Sequence, residues 1–199
     1  MLAVFRQAGA ERLAYGPIVG SGPNATVLHY RKNDRKMRDG DLLLVDAGCE
    51  YGYYAADVTR TFPVGGRFSG PQRAIYEIVL AAQIASIEAV RAGVTLEAIH
   101  DASVRVIAQG LLDLGMVEGP IETDVGRYFV DGKARPLDTG VVITVEPGIY
   151  VADNAEGAPE QYRGIGVRIE DDVLVTPEGA SVLTSDVPKS VDDVERACA

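Results

Sequence analysis

Two stretches of this chain share one pattern, in which a turn glycine begins an apolar strand that ends in an acid, a small residue and a glycine. Residues 40–48 read Gly-Asp-Leu-Leu-Leu-Val-Asp-Ala-Gly, and residues 140–148 read Gly-Val-Val-Ile-Thr-Val-Glu-Pro-Gly. Because such apolar strands should be buried, Asp46 and Glu146 are expected beside a core, where a lone carboxylate is unfavourable. Two copies are too few for a solenoid and favour two related halves that face each other, with chance similarity as the alternative.

A second aspartate follows Asp46 at the spacing of a hairpin. If Tyr51 and Gly52 form a two-residue turn, Asp46 lies directly opposite Asp57, with Cβ atoms roughly 4.5–5.5 Å apart. Two ionised carboxylates at that distance repel, so they need a shared proton or a cation. A β-bulge would shift this register by one residue.

The second half of the chain offers a matching pair of acids. Glu146 ends one predicted strand, and pairing with the next strand would bring it near Glu170. Four carboxylates from four strands suit hard divalent cations such as Mn²⁺ or Mg²⁺. Arg168 shares a sheet face with Glu170 and could fix a carboxylate by a bidentate contact. The alternative for a strand-end acid is a solvated or turn-forming role, which is our interpretation of Asp171 and Asp172.

The spacing of apolar residues along the chain predicts an α+β domain, built from helices, strands and a glycine-rich loop. The predicted helices are 1–15, 69–91 and 95–114, the loop is 18–24, and the strands are 25–30, 42–46, 53–62, 141–146, 165–175 and 180–183. Ser69 and Gln72 are spaced as a capping box at the start of the second helix.

Composition excludes several classes of protein. The net charge of −10 argues against nucleic-acid binding. No run of 18 apolar residues exists, so we expect neither a membrane span nor a signal peptide. Two cysteines provide no disulfide framework, which favours a reducing, cytoplasmic location. Of the two histidines, His100 is interpreted as a helix residue, whereas His29 is equally compatible with a core and a site role.

Around the four acids, Arg168 and His29, the sequence resembles the metallopeptidases that include Xaa-Pro aminopeptidases, prolidases and methionine aminopeptidases. The resemblance spans roughly residues 5–185, with order and spacing as in Xaa-Pro aminopeptidases. The matching stretches are 18–25, 28–30, 46–51, 57–62, 144–148 and 164–172. The resemblance implies a pita-bread fold, a curved and mainly antiparallel sheet with helices on its outer face, here incomplete.

The resemblance also implies two divalent metal ions, usually Mn²⁺, bridged by a water or hydroxide. By position, Asp46 would chelate one metal, while Asp57 and Glu170 would bridge both. Glu146 would bind the other metal and help to activate the water. His29 would lie beside the substrate, and Arg168 would orient the acidic ligands. The implied reaction releases the N-terminal residue of a peptide with proline at the second position.

This chain departs from the family pattern between the second long helix and the strand at 141–146. Family members carry a histidine-rich stretch there, with one metal ligand, whereas a block near 115–124 is absent here and Thr123 stands where a histidine is expected. We therefore interpret residues 1–199 as a single catalytic domain that lacks this segment and the family's N-terminal domain. One metal site should be weakened and turnover impaired. The alternatives are a non-catalytic pita-bread module that binds peptides or proteins, and a truncated inactive fragment. A homo-oligomer is compatible with the resemblance.

Overall fold

The computed structural model describes residues 1–118, 129–130 and 133–199. The four α-helices are α1 Leu2–Gln7, α2 Gly70–Ala89, α3 Leu96–Asp113 and α4 Val191–Ala197. The strands are β1 Arg12–Leu13, β2 Ile18–Ser21, β3 Leu42–Asp46, β4 Cys49–Tyr51, β5 Tyr54–Ala55, β6 Thr59–Pro63, β7 Phe129–Val130, β8 Lys133–Ala134, β9 Val142–Val145, β10 Gly148–Val151, β11 Ile165–Arg168, β12 Asp171–Thr176 and β13 Gly179–Val182. Short 3-10 helices cover Gly22–Thr26 and Glu160–Tyr162.

The two long helices begin where the sequence predicts. The Ser69 hydroxyl accepts a hydrogen bond from the Gln72 backbone N–H, and the Gln72 side chain accepts one from the Ser69 N–H, which confirms the capping box. The Thr95 hydroxyl accepts from the Ala98 N–H at the start of α3. Helix α2 buries Ile75 and Val79 completely in the main core, against β10 and β11. The helices therefore cover one side of the sheets.

All described strand pairs are antiparallel, as expected. One sheet has the order β2-β3-β6 and another the order β13-β12-β9, while β10 pairs with β11. Val145 pairs with Asp171 and Gly148 with Arg168, so the same register continues across the gap between these pairs. That continuous register places Glu146 opposite Glu170. The Glu170 N–H donates to the Thr59 carbonyl over 3.1 Å and so ties this hairpin to β6.

The predicted hairpin register after Asp46 is wrong by two residues. The turn residues are Gly52 and Tyr53, with φ of +54° and +68°, and Tyr51 pairs with Tyr54. Two-residue hairpins favour a turn with positive φ at both central residues, which explains the position of the turn. Asp46 is consequently opposite Thr59, and Asp57 lies two residues away on the same face.

Other predicted elements also differ. Residues 18–21 are strand β2 rather than loop, because Ile18 and Ser21 are buried and β2 pairs with β3. Gly20 suits this strand, since a Cβ there would lie 2.9 Å from the Asn24 carbonyl oxygen. The strand predicted at 25–30 is absent, and a 3-10 helix ends at Thr26 instead. The predicted helix at 1–15 is only α1, and the predicted strands 53–62 and 165–175 are each interrupted.

The helices give no sign of a membrane crossing. Within the described part of the chain, none has both the length and the apolar character that spanning a bilayer requires.

Candidate metal centre

Three carboxylates converge at the junction of the two halves. Ligand oxygens of Asp46, Asp57 and Glu170 all lie within 4.8 Å of one another, the one such group found among residues 1–118, 129–130 and 133–199. Asp46 ends β3, Asp57 lies between β5 and β6, and Glu170 lies between β11 and β12. The fold thus brings together acids from three separate segments of the chain, although the predicted direct pairing of the two aspartates is wrong.

The three oxygens face a cavity of about 230 Å³. Glu146 and His29 line this cavity but fall outside the tight group of three. Glu146 is exposed, and its Oε1 accepts a hydrogen bond of 3.0 Å from the Thr144 hydroxyl. The cavity is lined by Tyr15, Gly16, Ile18, His29, Arg31, Asp46, Asp57, Glu146 and Glu170.

Glu170 is the most strongly perturbed acid of the group. Its side chain is 1% exposed, and this burial is the main reason that its pKa rises to about 8. The charge of Glu146 raises the pKa further, whereas a 2.6 Å hydrogen bond from the Thr59 hydroxyl lowers it. Oε1 of Glu170 is buried and has no hydrogen-bond partner in the described part of the chain. A cation in the cavity would satisfy this oxygen.

Asp57 is perturbed in the same direction. Burial is the largest cause of its raised pKa, and the charges of Asp46, Glu146 and Asp172 add to it, against a hydrogen bond from Tyr15. The Asp57 N–H donates to Oδ2 of Asp172 over 3.1 Å, which holds the loop in place. An all-oxygen set of acids in which burial disfavours the charged forms of Asp57 and Glu170 fits a hard divalent cation, which would reverse both pKa shifts.

Tyr15 is a site residue that the sequence reasoning missed. Its hydroxyl lies within hydrogen-bond distance of Oδ1 of both Asp46 and Asp57. A phenol has one proton, so it can donate to only one carboxylate at a time. Burial and these carboxylates raise the pKa of Tyr15, so the hydroxyl keeps its proton. Tyr15 lies in the connection between β1 and β2, where no motif marks it.

Arg168 contacts the site through Asp46. Its Nη2 donates to Oδ2 of Asp46, its Nη1 to the Tyr150 hydroxyl over 2.8 Å, and its Nε to the Thr59 hydroxyl over 3.2 Å. Arg168 as a whole residue is 4% exposed, so these contacts are shielded from solvent. The carboxylate contact uses one nitrogen, whereas the sequence suggested a bidentate contact.

The interpretation of Asp171 and Asp172 as solvated turn residues is wrong. Asp171 is fully buried and accepts from Arg60 Nη2, Lys189 Nζ and Gln83 Nε2 over 2.7, 2.7 and 2.6 Å, and Asp172 is 8% exposed. Strand β12 is central in its sheet, which buries both residues. Arg60 Nη1 also donates to the Glu170 carbonyl, so the ion cluster holds the backbone of a site residue from behind.

The two histidines lie apart. His29 is exposed, has φ of +55° and lines the carboxylate cavity. His100, on α3, lines a groove between α3 and β9. Neither belongs to the group of three ligand oxygens among the described residues. Thr123 and most of the segment 115–124 lie outside the described residues, so the predicted loss of a histidine segment stays a prediction.

Comparison with known proteins identifies the family. The model of metallopeptidase family M24 matches residues 1–177. The chain belongs to metallopeptidase family M24. Members of this family use divalent metal ions, in agreement with the acidic cluster.

Similar M24 proteins are Xaa-Pro aminopeptidases. That of Haemophilus influenzae is 46% identical over 219 residues, covering 98% of this chain and 50% of the relative. That of Escherichia coli is 43% identical over 215 residues, covering 96% of this chain and 48% of the relative. The chain thus spans about half the length of the curated relatives it matches.

Solved structures of aminopeptidase P have the same fold. The Pseudomonas aeruginosa aminopeptidase PepP superposes with a TM-score of 0.92 at 46% identity, over 98% of this chain and 49% of the other. An Escherichia coli aminopeptidase P variant in complex with substrate superposes with a TM-score of 0.92 at 42% identity, over 99% of this chain and 50% of the other. The α+β, pita-bread fold expected from the sequence is confirmed, as is the resemblance.

Proposed function

We propose that this chain is the catalytic unit of a metal-dependent aminopeptidase that releases the N-terminal residue from Xaa-Pro peptides. The observation that carries the proposal is the buried Oε1 of Glu170, which lacks a hydrogen-bond partner in the described part of the chain and belongs to a group of three converging acids. An unpartnered buried oxygen in such a group is unfavourable without a cation. The identity of the relatives supports the reaction and the peptide substrate.

Each site residue has a distinct role in this proposal. Asp46, Asp57 and Glu170 would hold the metal, with Glu146 at a second position on the same cavity. Bound divalent ions, which we propose to be Mn²⁺, would lower the pKa of a water and polarise the scissile carbonyl. Glu146, the exposed acid of the cavity, would accept the proton of the attacking water at its carboxylate.

The surrounding residues orient these acids. Arg168 fixes the direction of one Asp46 oxygen, so the other remains turned toward Tyr15 and the cavity. The Thr59 hydroxyl occupies Oε2 of Glu170 and leaves Oε1 for a cation. His29, exposed at the cavity, would contact the bound peptide.

We also propose that the second metal position is weak and that turnover of this form is low. Support comes from the ligand group, which contains only carboxylates among the described residues. The alignment with the Haemophilus influenzae relative runs over 219 residues, more than the 199 of this chain, which is consistent with an absent internal segment. A single catalytic domain, a cytoplasmic location and a homo-oligomer remain predictions.

The composition of the ligand group is also compatible with two alternatives. A group that has no nitrogen ligand among the described residues also suits a pita-bread module that binds peptides or proteins without cleaving them, or an inactive fragment. Retention of Asp46, Asp57, Glu146, Glu170 and Arg168 favours the enzyme, because the geometry of all five serves a cation site.

Calorimetric titration with Mn²⁺, combined with hydrolysis of a proline-containing tripeptide, tests the proposal. We expect one tight and one weaker site, slow metal-dependent hydrolysis, and loss of the tight site in Asp57→Asn. The exposed Asp138→Asn serves as the matched control. No Mn²⁺ binding would refute the metal centre; binding without hydrolysis would leave the non-catalytic module; two tight sites with fast turnover would refute impairment.

A further inference from the structure

Strand β9, which leads to Glu146, has an edge with no partner among residues 1–118, 129–130 and 133–199. Within those residues it pairs with β12 on one side only. In antiparallel pairs, successive residues direct their N–H and C=O groups alternately toward and away from the partner. The Val175 N–H donates to the Val141 carbonyl over 2.8 Å, so odd-numbered residues face β12. Val142 and Thr144 therefore turn their main-chain groups outward, and no hydrogen bond to those groups occurs within the described residues.

A groove of about 550 Å³ runs along this edge, between β9 and α3. Such a volume is typical of sites for small ligands and short peptide segments, roughly 300–1,000 Å³. Its walls are mainly apolar, with Ile99, Val104 and Ile107 on α3 and Ile143 and Val145 on β9. An open strand edge beside an apolar wall is the arrangement that binds an extended peptide, with main-chain bonds on one side and alternate side chains in the pocket.

The groove is continuous with the metal centre. Glu146 lines both the groove and the carboxylate cavity. Four carboxylates line the cavity, of which Asp46 is paired with Arg168, and Arg31 is the one cation among the described residues of its lining. Acids therefore outnumber cations, so the cavity attracts a positive group. A peptide with a free amino terminus has that charge at one end. With its ammonium group beside Glu146, its chain would run along β9 in the antiparallel direction.

We propose that the free edge of β9 binds the peptide substrate as an added antiparallel strand, with the peptide's amino terminus in the carboxylate cavity. The nature of the ligand rests on the proposed peptidase function, whereas the strand addition rests on the edge and the groove alone.

The register of the added strand makes the proposal specific. With the first peptide residue opposite Glu146, the third and fifth residues lie opposite Thr144 and Val142 and bond to them through both N–H and C=O. The second and fourth residues share a face with Val145 and Ile143 and enter the apolar groove. The N–H of the second residue points away from β9, so proline at that position removes no hydrogen bond.

Measuring peptide binding in the presence of a metal chelator tests the strand addition. Without metal the peptide is not hydrolysed during the measurement. The probes are the C-terminal amides of Ala-Pro-Ala and Ala-Pro-Ala-Val-Ala, measured by calorimetry. Two additional main-chain bonds should make the pentapeptide bind about tenfold more tightly. N-methylation of the fifth residue should remove most of that gain, whereas N-methylation of the fourth should not. Equal affinity of the two peptides, or equal effects of the two methyl groups, would overturn the proposal.

A variant of the chain provides a second measurement. Val142→Pro removes an outward N–H that faces only the fifth peptide residue, without removing a bond to β12, and it should weaken pentapeptide binding several-fold while leaving tripeptide binding unchanged. A second copy of this chain could occupy the β9 edge instead of the peptide, and sedimentation velocity tests this alternative. A dimer that the pentapeptide dissociates would show that β9 pairs with a second copy, against the proposal. If the chain hydrolyses peptides with Mn²⁺ but its binding affinity does not depend on peptide length, the strand addition alone is overturned. Length-dependent binding without hydrolysis would overturn the proposed function alone.

Discussion

Replacing Glu170 with glutamine should change the pH dependence of stability in the metal-free protein. Burial raises the pKa of Glu170 from 4.5 to about 8, so the folded chain keeps a proton that the unfolded chain releases. A raised folded-state pKa means that stability is fully present below pH 4.5 and is lost as the pH rises through about 8. The Glu170→Gln variant has no such proton to lose.

The magnitude follows from the size of the shift. One pKa unit corresponds to about 1.4 kcal/mol, so a rise from 4.5 to about 8 amounts to about 5 kcal/mol. About 3 kcal/mol of this should be lost by pH 7 and the rest by pH 9. This is a large fraction of the roughly 5–15 kcal/mol by which typical domains are stable. The Glu170→Gln variant should therefore match the unaltered chain near pH 4.5 and be more stable above pH 7.

Urea unfolding followed by circular dichroism, with metal chelated and the pH varied from 5 to 9, measures this difference. The exposed Glu88→Gln on α2 is the matched control, and its difference from the unaltered chain should not vary with pH. Added Mn²⁺ should reverse the order at pH 8, because the cation stabilises the carboxylate and not the amide. A Glu170→Gln difference that is independent of pH, or that shrinks as the pH rises, would refute the reasoning.

Three further results are expected. Tyr15→Phe removes the hydroxyl between the two aspartates and should weaken Mn²⁺ binding by about 10- to 100-fold, as for other groups that orient metal ligands, with calorimetry as the measurement. Arg60→Met leaves the buried Asp171 without its main partner and should lower the free energy of unfolding by about 3–5 kcal/mol, whereas the exposed Arg73→Met should change it by less than about 1 kcal/mol in the same urea assay. Ser69→Ala removes the cap of α2 and should cost about 1 kcal/mol, measured by urea unfolding, and no loss would show that the capping box is not stabilising.

Local signals in the sequence determined several features of this protein. The capping box at Ser69 and the cap at Thr95 depend on residues three apart, and both helices begin there. The apolar runs before Asp46 and Glu146 predicted strands that end in acids, because burial of apolar side chains depends on their spacing. The sequence also predicted that Asp46, Asp57, Glu146 and Glu170 belong to one site, and it indicated the family.

Only the tertiary structure decided how these acids are arranged. The hairpin turn at Gly52 and Tyr53, rather than one residue earlier, moved the partner of Asp46 to Thr59. Tyr15 reaches Asp46 across 31 positions of sequence, and no local pattern records such a contact.

Asp171 and Glu170 show the physical reason most clearly. They are adjacent acids at the start of β12, yet Asp171 is neutralised by Arg60 and Lys189, whereas Glu170 has a raised pKa and an oxygen with no partner among the described residues. Hydrogen-bonding capacity and charge belong to the residue and can be known from the sequence. Desolvation and the distance to a partner belong to the assembled fold, because distant segments supply the atoms that exclude water and carry the opposing charge.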